Sequence, residues 1–386
     1  MDRPSLAEPA AIFQISSESG EKRRLTSPPR WSWGDTNPAF SPDGRTLAFV
    51  RWSSNVVGDI YLQNINATTA RRLTFDGVRV EGLTWTPDGR DIVFSSWRSG
   101  LATLWKVPVS GGEVEALAGV GGDAYSPAVS ARGNLLAFTR SEENDNIWGI
   151  LVTPAGRAGY PPRKLISGTS WQVDGEFSPD GKRIVFASYR SGNAEIWVAD
   201  ADGSKAAQLT SFGGPSTGTP HWSPDGRWIA FDSRPNGRSG VFVLGVEGGV
   251  PRRLTPPATD AFVPSWSRDG KWIYFCWNRS GDLEIWKMPA EGGEAVQVTK
   301  TGGFEARESK DGKWLYFSRP PSSLVGGGEK SSIWRMPVEG GAETLVLDKV
   351  RERFWTLADQ QLYFMDVEAN PRPSIAWTWR TVRYVD

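Results

Sequence analysis

The chain of 386 residues is poor in the residue types that build many metal and catalytic sites. It contains one cysteine, Cys276, and one histidine, His221. A single cysteine excludes an internal disulfide framework, and a single histidine excludes a site built from several histidines. Since the sequence also has no Walker loop and no dinucleotide fingerprint, it predicts no cofactor, no metal site and no catalytic residue. We therefore expect a protein that is not an enzyme.

One string resembles a catalytic motif. Residues 214–218, GPSTG, match the G-x-S-x-G pattern of a nucleophile elbow. That motif requires a strand–turn–helix context and a histidine well downstream, and His221 follows Ser216 by only five residues. We interpret the match as accidental and expect His221 to be a packed, neutral imidazole.

An excess of charge of one sign is also absent. Forty-four lysines and arginines balance forty-four aspartates and glutamates. No global field then favours nucleic acid or an anionic membrane, and no nucleic-acid-binding module is recognisable. The sequence has neither an apolar run of about 18 residues nor an N-terminal stretch typical of a signal peptide. It therefore predicts a cytoplasmic chain without direct contact to membrane or nucleic acid.

Glycine, proline and tryptophan are abundant, with 43, 27 and 20 residues, and the apolar runs are short. This composition favours many short strands joined by turns. A repeat organises them: FSPDGKRIVF at 177–186 is nearly copied as WSPDGRWIAF at 222–231. If the aspartate of the turn is the marker, eight copies follow one another at spacings of about 45 residues. The marker positions are Asp43, Asp88, Arg132, Asp180, Asp225, Asp269, Asp311 and Asp359.

Each copy has the same internal order. A short strand often ending in an aromatic residue precedes the turn, and an alternating strand follows it. A third strand carries an aliphatic–aromatic pair, and a glycine-rich turn leads to a short fourth strand. Four antiparallel strands per unit of about 45 residues are the signature of a propeller blade. The sequence thus predicts an all-β fold, a single closed β-propeller of four-stranded blades; eight is the predicted number, with seven or nine left open.

The chain ends suggest how the ring closes. Residues 11–26 resemble only the last two strands of a blade, and the last copy holds only the first two. We predict that the N-terminal strands complete the last blade, which would leave no open edge strand. The propeller would then span residues 11–386, after a disordered tail over residues 1–10.

The repeated residues are interpreted as structural. In S-P-D-G, the proline, aspartate and glycine each suit their position in a tight turn, and one turn per blade cannot converge on a single substrate. Aromatics before the turn are expected to fill the space between blades; they are Trp85, Phe177, Trp222 and Trp266. Arginines that end the second strands are expected to form hydrogen bonds at blade edges; they are Arg51, Arg98, Arg140, Arg190, Arg234, Arg279 and Arg319.

The candidate binding residues lie in the connections that enter the innermost strands. These connections should surround one mouth of the central channel, and loops carry function on repetitive scaffolds. Charged residues that converge there would suit a cation or a basic peptide segment, but a solvated loop surface is the favoured interpretation. The residues are Asp35, Glu81, Asp123, Asp174, Asp260, Glu305, Glu352, Arg79 and Arg353.

The repeat is similar to those of a known family. Residues 177–210, FSPDGKRIVFASYRSGNAEIWVADADGSKAAQLT, resemble the WD40-like repeats of the TolB type, called PD40 repeats. The resemblance covers nearly the whole chain. Residues 263–299, VPSWSRDGKWIYFCWNRSGDLEIWKMPAEGGEAVQVT, also resemble the C-terminal propellers of bacterial winged-helix transcriptional regulators. That resemblance implies a sensory or protein-contact role, as the effector part of a regulator.

Three classes of function follow. The first is a monomeric, non-catalytic propeller that presents its channel mouth to a protein, peptide or small ligand. The alternative is a TolB-like periplasmic envelope protein, or a propeller enzyme of the peptidase-associated or polyuronate-lyase kind. The third is a structural ring without a ligand. Because the chain lacks a winged-helix domain and the N-terminal α/β domain of TolB, we expect no DNA binding and place the envelope role second.

Overall fold

The computed structural model describes residues 9–383 except 17, 31, 55–56, 100–101, 131–134, 141–144, 150–162, 169, 215, 236–237, 258–259, 280–282, 320–329, 359–360 and 367–378. Within these residues every regular element is a β-strand. No helix of the described chain is long and apolar enough to span a membrane.

The strands follow the order that the repeat predicts. A short N-terminal pair, β1 (Phe13–Ile15) and β2 (Lys22–Arg24), comes first. Repeats 1 to 3 contribute β3 (Gly34–Phe40), β4 (Thr46–Ser54), β5 (Val57–Asn64), β6 (Arg71–Arg72), β7 (Val80–Trp85), β8 (Asp91–Ser96), β9 (Thr103–Pro108), β10 (Glu115–Ala116), β11 (Ala124–Val129), β12 (Leu136–Arg140), β13 (Ile147–Gly149) and β14 (Arg163–Ile166).

The later repeats continue the series. Repeats 4 to 6 contribute β15 (Gln172–Phe177), β16 (Arg183–Ser188), β17 (Glu195–Asp200), β18 (Ala207–Gln208), β19 (Thr217–Trp222), β20 (Trp228–Ser233), β21 (Gly240–Gly245), β22 (Arg252–Arg253), β23 (Ala261–Trp266), β24 (Trp272–Trp277), β25 (Glu284–Pro289) and β26 (Val296–Gln297). The remaining strands are β27 (Ala306–Glu308), β28 (Trp314–Arg319), β29 (Lys330–Pro337), β30 (Thr344–Ala358), β31 (Gln361–Asp366) and β32 (Trp379–Arg383).

Repeats 1, 2, 4, 5 and 6 each form a four-stranded antiparallel sheet with its strands in chain order. In several neighbouring repeats the first strands contact each other: β3 and β7, β7 and β11, β15 and β19, β19 and β23, and β23 and β27. We call the edge of the sheets at which the first strands begin the upper edge. The predicted all-β class and four-stranded antiparallel sheets are confirmed.

The marker turn uses its aspartate within the turn itself. Ser178 Oγ donates to Asp180 Oδ1 at 2.6 Å, and the same oxygen accepts from the Lys182 N–H at 3.1 Å. These two hydrogen bonds lower the pKa of the Asp180 carboxyl. Gly181 has a φ of 70°, which suits glycine. The geometry agrees with the structural interpretation of the turn; the markers Arg132 and Asp359 lie outside the described residues.

Six first strands contain a bulge at the same place. The pairing register shifts two or three residues into each strand, around a residue with φ between 48° and 73°. These residues are Asn37, Gly82, Ser126, Asp174, Thr219 and Val263. A bulge bends the strand and redirects side chains, so it changes the direction of the residues that precede it in each first strand.

Tryptophans that precede the turn connect neighbouring repeats. The indole Nε1 of Trp85 donates to the Ala39 carbonyl at 3.0 Å, in the first strand of the preceding repeat. Trp222 and Trp266 make the equivalent bond to Glu176 and His221. Trp85 and Trp222 are buried, as the prediction requires.

Among the predicted aromatic residues Phe177 differs from the prediction, and repeat 7 has no aromatic residue at this position. Phe177 is 47% exposed, since phenylalanine has no N–H to donate and the preceding repeat 3 lacks a continuous sheet. In repeat 7, Glu308 occupies the position before the turn. Its carboxylate accepts from the Arg268 N–H at 2.6 Å and from the Tyr274 hydroxyl at 2.7 Å, so an anion replaces the indole as the link.

The arginines at the ends of second strands mostly stack on aromatic rings. The guanidinium of Arg98 lies 5.3 Å from the ring centre of Phe94 and 4.9 Å from that of Trp105. Arg51, Arg190, Arg279 and Arg319 lie similarly over two rings each. The planar, weakly hydrated guanidinium favours such stacking, which adds to the hydrogen bonding predicted from the sequence.

The last two repeats form one six-stranded sheet, from β27 to β32. Strand β30 is both the fourth strand of repeat 7 and the first strand of repeat 8. Residues 344–358 contain no glycine or proline, whereas the other junctions have one, for example at 213–214 and 302–303. Without such a break the strand continues across the junction, with a register shift between Val350 and Trp355.

The N-terminal pair does not take the place predicted for it. Among the described strands, β1 and β2 pair only with each other, and β32 occupies the free edge of β31. Ile12 packs instead on Leu47 and Phe49 of repeat 1, and Ala10, at the end of the predicted tail, bridges to Gly34. A segment close along the chain closes a shorter loop than a distant one, which favours β32 as the partner of β31.

Candidate functional site

The predicted acids of the upper edge have two different surroundings. Asp35 belongs to the buried group. Its carboxylate accepts from Arg51 Nε at 2.7 Å and from Arg51 Nη2 at 2.9 Å, and its side chain has no exposed surface. Arg51 in turn lies 4.8 Å from the ring centre of Tyr61. A carboxylate held in this bidentate pair connects β3 to β4 and is closed to a ligand.

Asp260 and Glu305 are buried in the same way. Asp260 accepts from the Ser239 N–H at 3.0 Å and faces Arg238 at 3.4 Å. Glu305 faces Arg307 at 3.3 Å. Both acids are less than a tenth exposed, so neither presents a free carboxylate at the surface; the second oxygen of Glu305, Oε2, has no hydrogen-bond partner among the described residues. The side chains of Glu352 and Arg353, which complete the predicted set, lie outside the described part of the chain.

The structure brings the other predicted residues together around four aromatic rings, which we call the aromatic cluster: Trp97, Tyr125, Trp171 and Tyr189. Trp97 follows β8, Tyr125 lies in β11, and Trp171 and Tyr189 flank β15 and β16. All four positions are at the upper edge, in repeats 2, 3 and 4. The rings therefore meet because consecutive repeats place the same ends of their strands side by side.

The rings pack mainly edge to face. The ring centre of Trp97 lies 5.1 Å from that of Trp171, 5.8 Å from Tyr189 and 6.3 Å from Tyr125. Such tilted arrangements suit the quadrupoles of the rings. Trp97 is buried in the middle, while the other three rings are half-buried. The cluster is thus a preformed apolar surface that is partly open to solvent.

Predicted charged residues surround the cluster. The guanidinium of Arg79 lies 5.5 Å from the ring centre of Trp97 and forms an ion pair with Glu81. The Tyr125 hydroxyl donates to Asp123 Oδ1 at 3.4 Å. Asp174 is exposed and accepts from the Thr219 N–H of the next repeat at 3.1 Å. Arg79, Glu81, Asp123 and Asp174 are therefore the predicted residues that share one site.

Burial and these charges shift the pKa values of the two tyrosine hydroxyls. Burial raises the pKa of Tyr125 to about 12; Asp123 and Glu81 add to the rise, and Arg79 opposes it. Burial also raises the pKa of Tyr189, which Asp174 raises further and which Arg79 and Arg234 lower. Both hydroxyls hence remain protonated at neutral pH and can donate hydrogen bonds.

A second polar group lies among the first strands. His221 Nδ1 is 3.2 Å from Glu176 Oε1, and the Trp222 N–H donates to Glu176 Oε2 at 2.9 Å. Arg307, three repeats further along the chain, approaches the same carboxylate at 3.9 Å. Burial opposes ionisation of Glu176, but His221, Arg307 and these hydrogen bonds outweigh it and lower the pKa of the carboxyl. The only histidine is packed, as predicted, and its neighbour is an acid.

Several of these residues were not predicted from the sequence. The predicted residues belong to the connections that enter the first strands, whereas Glu176 and Arg307 lie within β15 and β27. Trp97 and Tyr189 precede the repeated arginines Arg98 and Arg190, at a place where other repeats lack an aromatic residue. Their aromatic side chains, at positions where the repeat places none, were the signal by which Trp97 and Tyr189 could have been found. Within the described chain, no group of three potential metal ligands occurs.

Comparison with known proteins gives a consistent family match. A protein-family model described as the TolB beta propeller domain matches residues 12–156 and 152–358. Among solved structures, the chain is similar to a putative TolB from Agrobacterium tumefaciens, with a TM-score of 0.46 and 20% identity, over 72% of this chain and 84% of that one.

Three curated relatives match parts of the chain. An uncharacterized protein of Agrobacterium fabrum is 27% identical over 47% of this chain and 62% of the relative. The uncharacterized peptidase YuxL of Bacillus subtilis is 31% identical over 41% of this chain and 23% of the relative. The Tol-Pal system protein TolB of Thioalkalivibrio sulfidiphilus is 26% identical over 32% and 29%. The chain thus spans less than two thirds of the length of each relative.

Proposed function

Because the chain belongs to the TolB β-propeller domain family, we propose that it is a non-catalytic propeller module that binds a protein or peptide segment at its upper edge. The aromatic cluster is the observation that carries this proposal. Tryptophan, tyrosine and arginine are the residues that most often dominate binding energy at protein interfaces. Three half-buried rings and an arginine at one end of the innermost strands form such a surface.

We include ring closure in the proposal. Eight sequence markers and the contacts between successive first strands support a closed ring of eight blades. A closed ring would hold the upper ends of the first strands around one opening.

The family favours a TolB-like role over a regulatory one. One relative is named as a Tol-Pal system protein, and the resemblance to TolB implies the periplasm, so we place this chain there rather than in the cytoplasm. An effector role in a transcriptional regulator has no support beyond the sequence resemblance.

The proposal is tested by selecting peptides from a displayed random library with the purified chain as bait. We expect the wild type to enrich a common sequence motif and Trp171→Ala to lose that enrichment, because the variant removes a half-buried ring of the cluster. Trp228→Ala is the matched control, since Trp228 is 46% exposed and lies on β20, away from the cluster. Failure to enrich any motif, or equal enrichment by Trp171→Ala, would refute binding at the upper edge. Cleavage of peptides or polyuronates by the pure protein would refute the non-catalytic assignment.

A further inference from the structure

We propose that the aromatic cluster recognises a basic side chain, the ammonium of lysine or the guanidinium of arginine, on an extended peptide segment. This inference rests on the proposed function and specifies its ligand. The argument depends on the balance of charge around the cluster, on the ring faces, and on buried donors that lack an acceptor.

Acids outnumber bases around the rings. Glu81, Asp123 and Asp174 lie beside the cluster, together with Arg79, and Glu81 and Arg79 already form a pair. At Tyr125 the two acidic neighbours outweigh the one arginine. Arg234 is the other nearby base, and its Nη1 contacts Asp232 at 3.0 Å. At Tyr189, by contrast, Arg79 and Arg234 face the single acid Asp174. An added positive charge is therefore favoured on the Tyr125 side of the cluster, and an added negative charge is not.

The rings already hold one cation. Arg79 covers one face of Trp97, at 5.5 Å from the ring centre. Among the residues that the structure describes, no cation lies over the rings of Tyr125 or Tyr189, whereas the aromatic pairs of the regular repeats are covered by arginines such as Arg98 and Arg190. Cations of ligands bind to tyrosine faces in the same way. The half-buried tyrosines beside carboxylates thus offer the same kind of position to a side chain from outside.

Buried donors indicate that the ligand also supplies acceptors. The indole Nε1 of Trp97, a residue with 8% exposure, and the Nε of Arg79 have no hydrogen-bond partner in the described chain. Buried donors are almost always paired in native proteins. Unpaired indoles elsewhere, such as Trp105 and Trp197, lie against an arginine as Trp97 does; of these three indoles, Trp97 alone lies within the cluster. Because both donors are buried, main-chain carbonyls of a bound peptide would supply the missing acceptors after a shift of the half-buried rings.

The test uses defined peptides and titration calorimetry on the full chain. The probes are four otherwise identical glycine–serine peptides whose central residue is lysine, arginine, norleucine or glutamate, with both ends blocked, and free butylamine is a fifth probe. We expect the lysine and arginine peptides to bind, with an affinity that falls as salt increases. Norleucine and glutamate peptides should bind at least about tenfold more weakly, because they lack the cation. Butylamine should also bind at least about tenfold more weakly than the lysine peptide, because it lacks the carbonyls.

Variants locate the site. Asp123→Asn and Asp174→Asn together should weaken the binding of the lysine peptide by about tenfold or more, since they remove two negative charges but keep the shape of both side chains. Asp123 and Asp174 both have a positive φ. Asparagine also adopts positive φ, so the two substitutions are compatible with the native backbone conformation. Glu247→Gln, at an exposed acid on another edge paired with Arg183, is the control and should leave binding unchanged. Equal binding of the lysine and norleucine peptides, or no effect of the double variant, would overturn the inference. Peptides selected from the library without a basic residue would also overturn it, while leaving the proposed function intact.

Discussion

The indole nitrogen of Trp222 donates a hydrogen bond to the main-chain carbonyl of Glu176, 3.1 Å away in the first strand of the preceding repeat. The side chain of the same Glu176 accepts from the Trp222 N–H and contacts His221. One residue of repeat 4 is thus bound three times by repeat 5. The contact between these two repeats is therefore specific as well as apolar, and the tryptophan before the turn supplies one of its hydrogen bonds.

This relationship predicts the effect of Trp222→Phe. Phenylalanine keeps most of the buried ring but removes the donor, which leaves the Glu176 carbonyl without its indole partner. We expect the free energy of unfolding to fall by about 1–2 kcal/mol. Urea denaturation measures this change. Trp228→Phe, at an exposed tryptophan, should change stability by no more than about 0.5 kcal/mol, and an equal effect at both positions would contradict the assigned bond.

The two groups of upper-edge acids should respond differently to truncation. Asp35→Ala leaves Arg51 buried beside an empty position, and we expect a loss of about 3–5 kcal/mol in the free energy of unfolding. Glu81→Ala breaks a partly exposed pair with Arg79 and should cost no more than about 1 kcal/mol. Thermal unfolding of both variants checks the contrast. If Glu81→Ala were as destabilising as Asp35→Ala, Glu81 would be a structural residue and not part of a binding surface.

At Gly82 the first strands of two neighbouring repeats approach each other closely. Its φ is 73°, and a Cβ built there would lie 2.9 Å from the Cα of Ser126 in the next first strand. Gly82→Ala should therefore cost more than about 2 kcal/mol, since it combines left-handed strain with a backbone clash. Gly119→Ala has the same kind of φ, 79°, but open space around it, and should cost only about 1 kcal/mol. Similar unfolding midpoints for the two variants would argue against the tight contact between β7 and β11.

The lowered pKa of the marker aspartates indicates how acid should change the stability of the fold. Hydrogen bonds from Ser178 and Lys182 lower the folded-state pKa of Asp180 below its unfolded value, which is about 3.9. The ionised carboxylate therefore contributes stability above that pH, and the contribution is lost as pH falls through the folded pKa. Asp180→Asn should be less stable than the wild type at pH 6, and the difference should narrow below about pH 4. Urea midpoints measured between pH 6 and pH 3 would show it, and a constant difference would exclude the carboxylate charge as the cause.

The sequence by itself determined the class of fold and the parts that repeat. Turn chemistry at Asp180 and Gly181, and the alternation of apolar residues around it, depend on neighbours a few residues away, so they can be recognised from a single chain. Repetition also predicted that the tryptophans before the turns lie between repeats, because the same residue at the same offset must meet the same neighbour. The exceptions, Phe177 and Glu308, depend on what the adjacent repeat offers and could not be predicted in this way.

Tertiary structure decided which of the predicted charges share a site. Asp35 and Glu81 occupy comparable positions in the sequence, yet one is closed in a buried pair with Arg51 and the other lies beside the aromatic cluster. The cluster itself joins rings from three repeats, and the contact of Glu176 with Arg307 joins first strands three repeats apart. Distances across the molecule depend on how successive sheets are rotated against one another, and no local pattern of residues specifies that rotation. The repeat therefore fixes what each strand is, and only the packing of the strands fixes which side chains meet.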